Sequence, residues 1–70
     1  MLRHYCVYSL DPQFTRVLDF LNTYRIEREV HLNRTRFWID DSLPEWAVLV
    51  LKFYTSIHDV SGEENHALGR

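Results

Sequence analysis

The spacing of apolar residues changes several times along this chain, and each change marks the end of a predicted element. Residues 2–10 are rich in aromatic and β-branched side chains and carry apolar groups on both faces, which is typical of a central strand covered on both sides. Asp11 is then a suitable N-cap for a helix. From Phe14 the apolar positions recur at i, i+3, i+4 and i+7, which predicts a helix ending near residues 24–25.

From Ile26 the apolar period falls to two, which predicts two strands joined by a tight turn. With Asn33 and Arg34 as the turn residues, Val30 lies opposite Phe37 and the apolar faces of the two strands coincide. Arginine is a poor substitute for the glycine that such turns prefer, so the predicted register depends on the apolar alternation.

The next element is predicted to be a second helix from about Leu43 to His58. It follows a Ser-Leu-Pro-Glu sequence whose serine and glutamate match a capping box. The apolar run Ala47–Leu51 is also good strand sequence, so a strand remains the alternative for this segment.

The predicted element order, β-α-β-β-α, defines one α+β domain over residues 1–60. Two helices packed on a three-stranded sheet would form two layers. This architecture resembles a ferredoxin-like βαββαβ unit whose final strand is missing. Residues 61–70 are polar and lack a period, and we expect them to form a mobile tail.

Composition limits the classes of protein to which this chain can belong. The 70 residues are 46% hydrophobic and 14% aromatic, which is typical of a chain that packs. The single cysteine, Cys6, cannot form a disulfide within the chain and fits a reducing compartment. The sequence carries no secretory signal and no apolar run near the roughly 20 residues that span a bilayer, so we expect a cytoplasmic protein without a membrane partner.

Candidate catalytic and metal-ligating groups are sparse. His4 and Cys6 alternate on one face of the first strand, but no further ligand is spaced to complete a metal site with them. Asp40 and Asp41 form an acidic pair that is expected to favour the positive end of the second helix. No Gly-rich phosphate loop is present. The sequence therefore predicts a protein that is not an enzyme, with no catalytic residue, metal, cofactor or small-molecule substrate.

The second helix carries more apolar surface than one face of a small sheet can cover. A core-facing stripe is extended around most of the circumference by Ala47, Val48, Leu51 and Tyr54. A chain of this length has a marginal core, so we expect part of that surface to form an interface.

The leading hypothesis is a small protein-binding module that acts as a regulator or inhibitor of a partner protein. Homodimer formation is one form of that binding, and phage-type accessory proteins are an analogous class. Arginine and tryptophan are preferred anchors of protein interfaces. The predicted partner-binding residues are Arg34, Arg36, Trp38, Trp46, Phe53 and Tyr54.

The distribution of charge supports a second hypothesis, a nucleic-acid-binding module. Residues 1–39 contain six arginines against four acids, whereas residues 40–70 contain two basic groups against six acids. A basic, aromatic hairpin can bind a nucleic-acid backbone and stack bases. Acidic residues lie among the arginines, however, and a pI near 6.0 is unlike the usual basic footprint. The residues of this alternative are Arg25, Arg28, His31, Arg34, Arg36 and Trp38.

Overall fold

The computed structural model describes residues 1–62, and four strands and two helices lie wholly within that range. In chain order these are β1 (Leu2–Tyr8), α1 (Phe14–Thr23), β2 (Arg28–Val30), β3 (Arg34–Asp40), α2 (Pro44–Phe53) and β4 (Ile57–Asp59). The protein is thus a small α+β domain, as predicted. Residues 63–70, which make up most of the predicted tail, lie outside the described residues.

The four strands form one antiparallel sheet in the order β2-β3-β1-β4. The prediction that the first strand is central is confirmed, since β1 pairs with β3 on one side and with β4 on the other. Its side chains alternate between the two faces of the sheet, and His4, Tyr5, Cys6 and Val7 are all buried. The middle of β1 is therefore buried on both faces.

The predicted three-stranded sheet is wrong by one strand, and the predicted end of the second helix is wrong with it. The helix ends at Phe53, after which the N–H of Ser56 donates to the Phe53 carbonyl at 2.8 Å and closes a turn. Ile57 then pairs with Val7 and lies buried in the core. Because Phe53 and Ile57 are four residues apart, the apolar spacing continues as it would in a helix, and only the pairing with β1 shows the strand.

The hairpin of β2 and β3 forms, but the predicted register is wrong by two residues. Val30 pairs with Thr35 and not with Phe37. The N–H of His31 donates to the Arg34 carbonyl at 2.8 Å, so the turn is Leu32-Asn33. A shift of two residues keeps the same side chains on the same face, so apolar alternation could not decide between the two registers.

Both predicted N-caps are also wrong. The Asp11 carboxylate accepts the N–H of Gln13 at 2.8 Å and so stabilises the turn that precedes α1. The N-cap of α2 is Leu43, which makes no side-chain capping hydrogen bond. Ser42 instead donates its N–H and its hydroxyl to the Asp40 carboxylate. Short polar side chains have therefore organised the loops rather than the first turns of the helices.

The core lies between the two helices and one face of the sheet. Trp46 packs against it from α2, and its indole N–H donates to the Tyr5 hydroxyl at 2.9 Å. The Tyr5 ring stacks on Phe37 from the neighbouring strand, with ring centres 5.9 Å apart. The core residues are Tyr5, Val7, Val17, Phe20, Leu21, Phe37, Ile39, Leu49, Phe53 and Ile57.

Candidate functional site

The predicted partner-binding residues separate onto the two layers of the domain. Arg34, Arg36 and Trp38 alternate along β3, so their side chains lie on the sheet face opposite the helices, which we call the far sheet face. This face also carries His4, Cys6 and Tyr8 of β1. The other predicted residues, Trp46, Phe53 and Tyr54, belong to α2 or directly follow it. The structure therefore divides the predicted set into two surfaces.

Interlocking contacts hold the side chains of the far sheet face in place. The His4 and Trp38 rings stack with centres 4.5 Å apart and planes within 7°. The Arg36 guanidinium donates from Nε to His4 Nε2 at 3.1 Å, so Nε2 is the unprotonated nitrogen of that ring. Arg36 also lies 3.9 Å from the Glu29 carboxylate, which His31 contacts at 2.6 Å. Much of the charge on this face is consequently paired within the chain.

The residues of the nucleic-acid alternative are only partly brought together. Arg34, Arg36 and Trp38 share the far sheet face. Arg28 pairs with Phe37 and so lies on the helix side, where its guanidinium donates to the Ile26 carbonyl. Arg25 follows the end of α1 with a φ of 54°, a left-handed conformation. Arg25 and Arg28 therefore do not extend the basic surface of β3.

The histidine and cysteine of β1 are close neighbours, but they do not form a metal centre. Cys6 is fully buried and lies opposite Arg36 on one side and His58 on the other. The His58 ring meets the Tyr8 ring edge-on, 5.1 Å between centres. Within residues 1–62, no three His, Cys, Asp or Glu side chains lie close enough together to hold a metal ion.

The outward side of α2 exposes several apolar side chains. Leu51 is 82% exposed and Tyr54 69%, although they flank Phe53, which is only 7% exposed. The reason is helical geometry, since Phe53 shares its side of the helix with the buried Leu49. We call the exposed surface the α2 outer face, and it consists of Ala47, Val48, Leu51 and Tyr54.

A groove runs beside the α2 outer face, where α1 and α2 diverge. It has a volume of about 580 Å³, is open to solvent, and is lined in part by Arg16, Tyr24, Val48 and Lys52. Val48 belongs to both surfaces, so the groove and the α2 outer face form one continuous region. Leu51 was not among the predicted partner-binding residues, although its place in the surplus apolar surface of the helix indicated it.

A second exposed apolar region lies at the hairpin end of the sheet. The N–H of Ser9 donates to the Asn33 carbonyl at 2.9 Å, which brings the loop after β1 beside the hairpin turn. Leu10 is 98% exposed and Leu32 100%. Both lie in loops, and the predicted strands had placed them on covered faces. Leu10 serves below as a matched control for substitutions in α2, and Leu32 serves as one for a substitution in the hairpin.

The predicted acidic pair lies between β3 and α2. Asp40 and Asp41 contact the amino group of Met1 at 3.3 and 3.0 Å. The pKa of the Asp40 carboxyl is lowered from 3.8 to about 2, first by the backbone N–H of Ser42, then by the Ser42 hydroxyl and the Met1 amino group. These contacts stabilise the charged carboxylate, and they link the start of β1 to the turn after β3.

The free energy of unfolding at low pH should depend on the contacts of Asp40. A carboxyl whose pKa is depressed on folding contributes stability above its unfolded pKa of 3.8, and that contribution disappears as the pH falls through about 2. Asp40→Asn should therefore lower the free energy of unfolding at pH 6, and the gap to the wild type should narrow below about pH 4 and close below pH 2. Urea unfolding across this range measures it. Ser42→Ala should give a smaller change in the same direction, and a gap independent of pH would contradict the assignment.

Charge is also paired at the end of β4. Partial burial raises the pKa of Asp59, but hydrogen bonds from Ser61 and the ion pair with Arg3 outweigh it, so the pKa is lowered overall. The Ser61 hydroxyl in turn accepts the N–H of His4 at 3.1 Å. These contacts fasten the segment after β4 to the central strand.

Comparison of the chain with protein-family models, with curated proteins and with solved structures finds no match. Among residues 1–62, no helix is long and apolar enough to cross a membrane.

Proposed function

We propose that this protein is a small, non-enzymatic binding module that occupies a surface of another protein and thereby regulates or inhibits it. The α2 outer face is its contact site. The observation that carries the proposal is the exposure of Leu51 and Tyr54, 82% and 69%, on a helix whose opposite side is built into the core. Full burial of a leucine side chain contributes about 1.5–3 kcal/mol, so a partner gains substantially by covering this face.

The chemistry around the exposed leucine supports a protein as the occupant. Tyrosine is enriched in interface hot spots because it combines a large apolar ring with a polar tip. Tyr54 supplies such a group at one end of the α2 outer face. The groove beside it can receive a side chain of the partner, with Arg16 and Lys52 available for acidic groups at its edge.

We further infer that the scaffold is a small ferredoxin-like unit and that it works in the cytoplasm. The element order β-α-β-β-α-β, the strand order β2-β3-β1-β4 and the packing of both helices on one sheet face support the first inference. Cys6, the single cysteine of the chain, is buried, which fits a reducing compartment.

Affinity capture with a surface variant tests the proposed function. Wild-type protein should retain a specific protein from extracts of the source cells, and the same protein should rebind when purified. Leu51→Arg should lose this binding, whereas Leu10→Arg, at an equally exposed site outside α2, should keep it. Circular dichroism should show both variants folded. Failure to retain a protein that rebinds, or equal retention by Leu51→Arg, would contradict the proposal.

Nucleic-acid binding remains the second candidate, because β3 presents Arg34, Arg36 and Trp38 on one face. The carboxylate of Glu29 beside Arg36 weakens the basic character of that face. If the far sheet face binds single-stranded nucleic acid, affinity should fall steeply with salt and be lost when Arg34→Glu and Arg36→Glu are combined. An absence of binding at low salt would exclude this candidate.

A further inference from the structure

We propose that the α2 outer face binds a second copy of this chain, with the two α2 helices antiparallel across a twofold axis. This inference rests on the proposed function and names a partner for the same site. An isologous contact of this kind requires a surface that is complementary to itself. The α2 helix meets that requirement in its charges and in its apolar positions.

The charges of α2 are complementary to themselves in one orientation only. Glu45 and Lys52 are seven residues apart, so they lie on the same flank of the helix, about 10 Å apart along its axis. Neither belongs to the ion pairs found among residues 1–62. An antiparallel pair centred between Val48 and Leu49 places Glu45 opposite Lys52 of the partner subunit, and the twofold axis repeats the contact. A parallel pair would place Glu45 and Lys52 of the partner subunit on opposite flanks of the contact, so the two charges would not meet.

The same axis also brings apolar groups together. Val48 and Leu51 lie near the centre, where each Leu51 faces Ala47 and Val48 of the partner subunit. Tyr54, on the flank away from Lys52, comes close to Leu43 of the partner subunit, and Leu43 is itself 48% exposed. The exposed leucine is thus covered at the centre of the contact, and the charges lie at its edge, as is usual in protein interfaces.

The size of the contact determines the concentration needed to observe it. Two helices of ten residues each form a small interface, and interfaces below about 1,200 Å² belong to weak complexes. Light scattering should therefore extend from micromolar to roughly millimolar protein. The wild type should change from monomer to dimer over this range. Leu51→Glu should stay monomeric, whereas Leu10→Glu should dimerise like the wild type. Wild-type protein that remains monomeric, or a Leu51→Glu variant that dimerises normally, would overturn the proposal.

Charge reversal tests the contact without changing an apolar residue. Glu45→Lys alone and Lys52→Glu alone each replace two attractive contacts by two repulsive ones, so each should raise the dimer dissociation constant about tenfold. Combining both substitutions restores opposite charges at every contact and should recover the wild-type constant. A double variant no better than the single variants would overturn the pairing.

Carbodiimide cross-linking tests the orientation, because Lys52 is the only lysine in the chain. In the dimer this reagent should join Lys52 to Glu45 of the partner subunit, and a mixture of ¹⁴N and ¹⁵N chains shows by mass that the link is between copies. Dimers without this cross-linked peptide would overturn the antiparallel arrangement.

The outcomes separate this inference from the proposed function. If the wild type is monomeric at every concentration and the Leu51→Arg variant no longer binds a foreign protein, the dimer is overturned and the binding module is supported. If the dimer follows the charge-reversal pattern and the protein retains no foreign partner, the dimer is supported and the regulatory role is overturned.

Discussion

Replacing Phe53 by alanine is expected to remove a large part of the protein's stability, whereas the same replacement at the adjacent Tyr54 should leave its stability nearly unchanged. Phe53 is 7% exposed and its ring packs edge-on against Phe20, with centres 6.1 Å apart. Truncating a core phenylalanine costs about 3–5 kcal/mol. A domain of this size has a total stability of roughly 4–10 kcal/mol, so the loss removes a large part of it.

The measurement is urea unfolding followed by circular dichroism at low micromolar protein, where self-association is negligible. Tyr54→Ala, at a 69% exposed position, should remain within about 0.5 kcal/mol of the wild type. The same variant should bind more weakly through the α2 outer face. Equal destabilisation by the two variants would show that α2 is rotated from the orientation described here.

Phe37→Ala is expected to have an equally large effect, from the sheet side of the core. Phe37 has no exposed surface, pairs with Tyr5 on β1 and with Arg28 on β2, and stacks on the Tyr5 ring. Its removal leaves a cavity between the sheet and both helices, and we expect a loss of about 3–5 kcal/mol. Thermal and urea unfolding should both show it.

Leu32→Ala provides the matched control in the same hairpin. Leu32 lies in the turn and is 100% exposed, so its truncation should change the free energy of unfolding by less than about 0.5 kcal/mol. In the predicted register, Leu32 would instead have belonged to the apolar face of β2. A loss of more than 2 kcal/mol at Leu32 would therefore favour the predicted register over the one described here.

The division of α2 into a buried and an exposed side could be predicted only in part. The surplus of apolar residues indicated correctly that some of them would lie outside the core. The helical spacing also separated Ala47, Val48, Leu51 and Tyr54, the residues of the α2 outer face, from the core-facing stripe, but it did not show what either side would contact. The position of the sheet and of Phe20 on α1 decides that Phe53 faces inward.

The far sheet face shows the same limit for polar residues. The period of two along β3 was sufficient to place Arg34, Arg36 and Trp38 on one face. The partner of each was not predictable, because His4, which accepts from Arg36 and stacks on Trp38, is 32 or more residues away in sequence. Such contacts depend on the order of strands in the sheet.

The sequence by itself determined the class of fold, the central strand, the positions of both helices and the excess of apolar surface on the second. Each of these follows from local periodicity, because the spacing of apolar residues shows which neighbouring positions are buried and which are exposed. Only the tertiary structure decided the fourth strand, the register of the hairpin and the contacts that orient α2 on the sheet. Ile57 continues the helical spacing of α2, so the local pattern fits both a longer helix and a fourth strand. A shift of two residues keeps each side chain on the same face of a strand, so the local pattern fits both registers of the hairpin. The physical choice is made by distant partners, chiefly β1, which pairs with β4 and bears the core against which α2 is oriented.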